Sequence, residues 1–582
     1  MDSQAFKAAN ILAGNPPETE GLEIVVLPGA GCKFTFHVPC VVAITGKSVT
    51  VKVNREEVPM WARLIIPAKG SLEISGGGGN PGFRVYLAVR GGFPEVPKYL
   101  GSKSTSMGLG GYQGRALKPG DQLTLGDCQP SSEESQSTIP LQLPDHLIPS
   151  YQKDWIINVL AGPHDNEEFL TPEGNAAFYS TQWSISSSSN RMGIRLQSKK
   201  SIQWARADGG EGGSHPSNIL DNGYALGTVN INGDTPVILT QEGPDMGGYL
   251  CACTVASGDL WKVGQLSPGN AVTFNPVSWV EAQACIETAK LWLADIESVV
   301  SGSTTVVPRA TLGITSTHWH HPSCILFKHE PRPESSRPVA TFRQAGDSAI
   351  LVEYGQMKLD FNLRARVHAL ETEAHKRKVQ GIWSFAPCIR STMCHFDPAI
   401  ISQDEVLKLL VEIEISLPDT MTDVEFPGRK ITFPIALDDQ WSHEALQRYM
   451  STTRSKAVYL PSNIDYLARN NDLEGGATEA LQKLVGSSWL VFGVGFYLAC
   501  PFLVPIDPRC RLVGQKMNPS RTYTPSGAVG IAGPVAAIYP VVSPGGYQLF
   551  GRTLPAWQTW GKGEDFSPDR PWLLRPFDQV GC

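Results

Sequence analysis

Glycine and proline punctuate this chain from end to end, and residues 507–553 show the pattern at its densest. The run DPRCRLVGQKMNPSRTYTPSGAVGIAGPVAAIYPVVSPGGYQLFGRT sets short β-branched and aromatic segments between sharp turns, which is the texture of short strands that reverse direction often. Gly527, Gly530, Gly533, Gly545 and Gly546 open backbone conformations closed to other residues and let amides approach a ligand, while Asn518, Arg521, Tyr523, Gln548 and Arg552 supply polar heads. That pairing suits a grip on a planar amide or carboxylate. Trp204–Asn222, WARADGGEGGSHPSNILDN, has the same texture, with Ser189-Asn190-Arg191 before it and Met246-Gly247-Gly248-Tyr249 after it. Two such segments far apart in sequence suggest one site assembled from two halves.

The chain's 57 glycines and 44 prolines are spread rather than massed in a tail, so they mark turns between strands and not disorder. The expected fold class is mainly β with α+β character. A length of 582 residues exceeds what one hydrophobic core serves, and three or four domains are expected. With 41% hydrophobic and 18% charged residues, no apolar run long enough to span a membrane and a net charge of −7, the composition points to a soluble protein that binds neither membrane nor nucleic acid. Twelve cysteines without a CxxC pair, behind a start that lacks a secretory signal, predict reduced thiols and a cytoplasmic location. Cys251 and Cys253 share one strand face and read as buried small hydrophobes.

Along the chain, Asp2 or Ser3 caps a short helix that stops at Gly14-Asn15. Alternating strands follow (LEIVV, KFTFHV, CVVAITG, SVTVKV, RVYLAVRGG), and the glycine run 76–79 reads as a hairpin connection because no Lys-Ser/Thr or helix follows it. The Ser, Pro and Gln of 129–148 form a connector. This places a first β unit at 1–148 and a second at 149–325, the latter closed by the helix WVEAQACIETAKLWLADIESVV. His318, His320, His321 and Cys324 do not have a standard zinc spacing and read as an unmetallated loop. A linker at 326–338 leads to an α+β domain at 339–417 with a βαβ-like alternation, and 418–582 is a last β domain.

Asp208 and His215 are candidates for proton transfer, against the alternative that Asp208 caps a turn and His215 packs beside Pro216. Arg521 and Arg552 are candidates for gripping a carboxylate with a planar fork, against a structural pairing between strands. No G-x-S-x-G elbow, phosphate-binding loop or biotinyl-lysine hairpin is present. Lys358, in Met357-Lys358, sits in the wrong surroundings for a biotin attachment and reads as a surface lysine.

The motifs AVGIAGP, IYP and SPGGYQLFGRT resemble allophanate hydrolase subunit 1, also known as the B component of 5-oxoprolinase. FRVYLAVRGGF, LGSKST, GYQGRALKPGD and SSSSNRMGIRL resemble allophanate hydrolase subunit 2, the C component of 5-oxoprolinase. Subunit 2 followed by subunit 1 is the order in the carboxyltransferase region of urea carboxylase, to which WARADGGEGGSHPSN, LWKVGQLSPG, TFRQAGDSAILVEYG and NPSRTYTP are similar. The resemblance covers nearly the whole chain. It implies several cyclophilin-like β-barrel units plus one small α+β domain, with a further strand before the position of Met1 in family members. It also implies an enzyme that passes a carboxyl group to the nitrogen of a small amide or urea-type substrate. The carboxybiotin would be supplied in trans by a biotin carboxylase and a biotin carrier, with no cofactor bound covalently and no metal.

On that basis Asp208, His215, Arg521 and Tyr523 are the expected catalytic residues. Asn190, Arg191, Asn218, Met246, Gly247, Gly248, Asn518, Gly545, Gly546, Gln548 and Arg552 are expected to bind substrate. The resemblance also implies a polar residue and an acid where this chain has Leu220 and Phe496, which points to a larger, more apolar substrate than urea or to no action on urea at all. Two other functions stay open: biotin-free hydrolysis or cyclisation of an amide, lactam or secondary metabolite on the same scaffold, and a non-catalytic binding or regulatory role.

Overall fold

The computed structural model describes residues 1–76, 79–132, 134, 140–302, 323–422, 424–558 and 564–581. The histidines 318, 320 and 321 and the middle of the 76–79 glycine run lie outside them. Seven strands between residues 154 and 276 close into a barrel; the other sheets are open. The chain divides into two compact units, one of Met1–Asn158, Thr181–Ile194 and Ala256–Trp319, the other of Val159–Ser180, Arg195–Val255 and His320–Cys582.

In the first unit, helix Ser3–Ala13 is capped as its sequence predicts. The Asp2 carboxylate accepts the Ala5 amide at 2.9 Å, and Gly14 ends the helix at φ 85°. Its small face, Ala5, Ala8, Ala9 and Leu12, packs with Ala43, Trp61 and Tyr86. A five-stranded antiparallel sheet centres on Arg84–Val89 and Cys40–Gly46, and a four-stranded sheet carries Gly31–Thr35, Ser71–Ser75, Thr50–Val53 and Glu56–Val58. Val42, Ile44, Leu72, Ile74, Val85 and Leu87 form one core from the two sheets. Helix Trp279–Val300 begins at a reciprocal capping box between Ser278 and Glu281.

In the second unit, the expected strands at 340–344, 349–354 and 391–396 and helices Phe361–Arg377 and Gln403–Ser416 form. Their five-stranded sheet is antiparallel throughout, however. Strand Ser391–Phe396 lies between Ala349–Tyr354 and Ile382–Pro387, so the β–α–β order makes no adjacent parallel pair. The helix still carries the chain to a strand, Ile382–Pro387, parallel to Ala349–Tyr354, but Ser391–Phe396, joined to it by a short turn, pairs in the gap between the two. An eight-stranded sheet follows, with Trp489–Gly495, Cys500–Pro505, Val535–Ile538 and Ala528–Ala532 at its middle. Helices Gln440–Thr452, Asn463–Asn470 and Gly476–Val485 precede its central strands. Asn463–Asn470 escapes sequence reading because it has two turns and asparagine at both ends, although Ser462 caps it and Ile464 and Leu467 bury one face. Two short antiparallel ribbons complete the unit: Asn218–Gly223 with Met246–Tyr249, and Arg521–Thr524 with Ser543–Gly545. No described helix is long and apolar enough to cross a membrane.

Candidate functional site

The first ribbon is shaped by the loop before it. A Cβ on Gly212 would fall 2.3 Å from the Ile219 carbonyl carbon, and one on Gly209 would fall 2.4 Å from the Asn218 carbonyl oxygen, so only glycine lets the loop fold back this closely. Arg206 ties the loop down: its guanidinium lies 4.7 Å over the Phe169 ring and donates to Pro216 O at 2.8 Å and Asn218 O at 2.6 Å. Asp208 accepts the Gly210 amide at 2.9 Å, which is a turn cap. His215 accepts the Ser217 amide at Nδ1, 3.1 Å away, and meets the Trp204 ring edge-on at 5.7 Å. Burial pushes the imidazole pKa below its ordinary value, so the ring is a neutral brace. In this geometry Asp208 and His215 hold the loop. His215 packs on Trp204.

The second ribbon centres on Arg521, which lies opposite Gly545 and is 1% exposed. Its Nη1 donates to Tyr547 O and the Met517 sulfur, each at 2.7 Å, and its Nε has no partner among the described residues. Nor does any described carboxylate pair with it. Burial depresses its pKa, while the hydroxyls of Tyr539, Tyr449 and Tyr249 act the other way. Gly545 is required here too, because a Cβ would lie 2.3 Å from the Tyr539 hydroxyl. Gln548 Nε2 donates to Gln515 O at 2.7 Å and Asn518 Nδ2 to Lys516 O at 3.1 Å, fixing both side chains beside the 515–521 segment.

The two ribbons meet at Lys516 and Tyr249. Lys516 Nζ donates to Gly212 O and Ile219 O at 2.9 Å each and sits 5.9 Å from the Tyr249 ring centre. A Cβ on Gly248 would lie 2.4 Å from that nitrogen, and one on Gly546 would lie 3.2 Å from the Tyr249 hydroxyl. Asn232 Nδ2 donates to Ser520 Oγ at 3.2 Å, and Ser214 bonds to Gln515. Eight buried polar atoms of the ribbons and the residues beside them have no hydrogen-bond partner among the described residues: Asn218 Nδ2, Asn222 Oδ1, Asn232 Oδ1, Tyr249 OH, Asn518 Oδ1, Arg521 Nε, Ser543 Oγ and Gln548 Oε1. Buried polar groups are normally satisfied, so these atoms are candidates to bond a ligand's own groups.

The other expected residues serve turns, ion pairs and packing. Asn190 and Arg191 belong to the first unit, where Asn190 Oδ1 accepts the Met192 amide at 2.8 Å in a turn and Arg191 is ion-paired with Glu23. Met246 is buried in an apolar cluster with Leu220 and Phe492, against which Phe496 also packs. The Leu220 and Phe496 side chains therefore serve that core. Gly247 lies against the Tyr224 hydroxyl, 2.7 Å from where its Cβ would be. Tyr523 is covered by the Arg448 guanidinium at 4.8 Å. Arg552 lies 4.5 Å over Trp441 and donates to Ser526 O at 2.8 Å, a packing role with no inter-strand ion pair among the described residues.

Sequence reading passed over Lys516, although it stands in the densest Gly/Pro segment, two residues before Asn518. It also passed over two acids. Asp221 is buried and has its pKa raised to about 6 by burial, against the Ile389 amide and then Lys516. Asp245 is exposed and accepts the Phe496 amide at 2.6 Å, so the acid at the Phe496 turn comes from another strand end.

Comparison with known proteins gives this geometry a family. Residues 1–276 match the carboxyltransferase domain, subdomain A and B, and residues 340–565 match the carboxyltransferase domain, subdomain C and D. The chain is 39% identical to the urea amidolyase of Saccharomyces cerevisiae, covering all of this chain and 31% of that protein. It is 30% identical to the C component of Escherichia coli 5-oxoprolinase over 48% of this chain and 83% of that one. The crystal structure of the Kluyveromyces lactis urea carboxylase superposes with a TM-score of 0.87 at 36% identity, over all of this chain and 50% of that one. The chain thus spans from a third to half the length of its fungal relatives. It belongs to the carboxyltransferase domain family, with subdomains A and B followed by C and D in one polypeptide.

Proposed function

We propose that this chain transfers a carboxyl group from carboxybiotin to a nitrogen of a small urea-type amide. The observation that carries the reading is Arg521, a fully buried guanidinium with a free Nε and no acid partner among the described residues, set in a cluster of partnerless polar atoms. A buried unpaired charge is costly, and a carboxylate-bearing ligand relieves the cost. The cluster also fits a ureido ring and an amide by donor type. Asn218 Nδ2, Tyr249 OH and Arg521 Nε can donate to carbonyl or carboxylate oxygens, and Asn518 Oδ1, Gln548 Oε1 and Ser543 Oγ can accept from N–H groups.

Carboxybiotin, when bound, supplies the carboxyl group itself. The chain's own residues orient and stabilise: Arg521 holds negative charge as it shifts between nitrogens, the amide-bearing side chains fix the acceptor's plane, and the ribbons keep water out. The donor is charged by a biotin carboxylase and delivered by a carrier, the arrangement implied by the relatives named urea carboxylase and urea amidolyase. Because Leu220 and Phe496 pack in the core, urea is the first acceptor to test, with larger amides beside it. The experiment supplies biotin carboxylase, biotinylated carrier, ATP and labelled bicarbonate, and measures fixation dependent on each amide. Acceptor-dependent fixation supports the reading; none with any amide overturns it.

A further inference from the structure

We propose that Lys516 is a catalytic base of this transfer, a neutral amine whose two N–H bonds are spent on Gly212 O and Ile219 O and whose lone pair takes the proton of the acceptor nitrogen. The inference rests on the functional reading above and adds a residue and a role to it.

Donor count separates the two protonation states of this amine. Lys516 is 3% exposed, and the acceptors its amine reaches are two carbonyl oxygens, each at 2.9 Å. An ammonium has three donors and, when buried, needs a countercharge in contact; a neutral amine has two donors and one lone pair. The two carbonyls match the neutral form. Among the described residues no carboxylate forms an ion pair with Lys516. Asp221, the acid that acts on it, comes from the facing strand and already accepts the Ile389 amide at 3.1 and 3.2 Å. Tyr249 faces the amine from the neighbouring strand with its ring, and its hydroxyl has no partner among the described residues. Burial pushes the Lys516 pKa down to about 7, with Asp221 opposing, so the neutral form is accessible at physiological pH. Gly248 makes the placement possible, because any side chain there would occupy the position of Nζ.

The chemistry balances without an added reagent. As the acceptor nitrogen bonds to the carboxyl carbon, its proton passes to Nζ. The electron pair of the broken N–C bond stays on the nitrogen that gave up the carboxyl, and Nζ returns its proton there. One N–C bond forms, one breaks, and the lysine ends as it began.

Two measurements test this. The first needs no turnover: 13Cε-lysine NMR of the intact protein, with the Lys516 signal assigned by its loss in Lys516→Arg, is expected to titrate with a midpoint between about pH 6.5 and 8. A midpoint above about 9.5 overturns the proposal. The second is transfer by Lys516→Arg and Lys516→Met. Arginine keeps donors and charge but cannot be neutral, so kcat is expected to fall at least about 100-fold in both, with KM for the amide little changed. Recovery in Lys516→Ala on adding a small primary amine is also expected. Lys516→Arg at wild-type rate overturns the assignment of Lys516 alone, whereas absence of transfer by the wild type with every amide overturns the functional reading and leaves the NMR midpoint to judge the amine.

Discussion

Arg521 separates binding from building more cleanly than any other residue of the site. Arg521→Lys removes the Nη1 bond to Tyr547 O and the Nε donor but keeps a positive charge. If Arg521 orients a carboxylate, kcat/KM should fall by about 100-fold while stability falls by only about 1–3 kcal/mol, the cost of one unsatisfied buried group. A purely structural arginine would show lost stability with unchanged activity per folded molecule, which thermal unfolding and kinetics on the same preparation would reveal.

Asp221 yields a prediction in pH. Its folded pKa of about 6 lies above the unfolded value of about 4, so the folded state binds this proton more tightly and stability is lost as pH rises from about 4 through 6. Asparagine is neutral throughout and still accepts the Ile389 amide. Asp221→Asn should therefore gain about 3 kcal/mol relative to wild type between pH 4 and 8, an order-of-magnitude figure that urea unfolding at each pH would check. A gap that stays flat across that range would mean the carboxyl is not held protonated.

At the scale of elements, the α+β part of the second unit is held by a buried charge pair between its helices. Arg366 Nε, on Phe361–Arg377, donates to Glu414 on Gln403–Ser416 at 3.0 Å, and Tyr354 OH, from the sheet, donates to the same carboxylate at 2.8 Å. Glu414→Gln leaves the arginine buried without a countercharge. It should cost about 3–5 kcal/mol, read as a lower urea midpoint at unchanged slope. The alternation of strands and helices over 339–417 was legible in sequence, and the structure caps the two helices at Asp360 and Ser402. The sheet order was not, because periodicity says which face a strand buries but not which edge receives it.

At the scale of the molecule, the second compact unit draws on both family-model matches: Arg195–Val255 comes from the first and most of His320–Cys582 from the second. A fragment of residues 323–582 alone would lack Gly212 O and Ile219 O for Lys516, and Asp221 for the Ile389 amide. It should unfold at lower temperature than the full chain and show no transfer, and co-expression with 1–322 should restore both. A fragment as active as the full chain would show that the first ribbon is dispensable.

By itself the sequence determined a β-rich chain in short strands, the helix start at Asp2, the long helix from Trp279, and the two glycine-bound segments whose ribbons meet. These are local matters: capping, periodicity and the backbone freedom of glycine act within a few residues. Only the tertiary structure decided which polar groups there are satisfied. In sequence Asp208 and His215 stand between proton transfer and a turn-capping or packing role; in space Asp208 accepts the Gly210 amide, His215 accepts the Ser217 amide and packs on Trp204, and Met246 belongs to the core. Lys516, which nothing in the sequence singles out, is buried against carbonyls 304 and 297 positions away. A side chain's chemistry depends on what completes its hydrogen bonds and removes its water, and here those partners arrive from the far half of the chain.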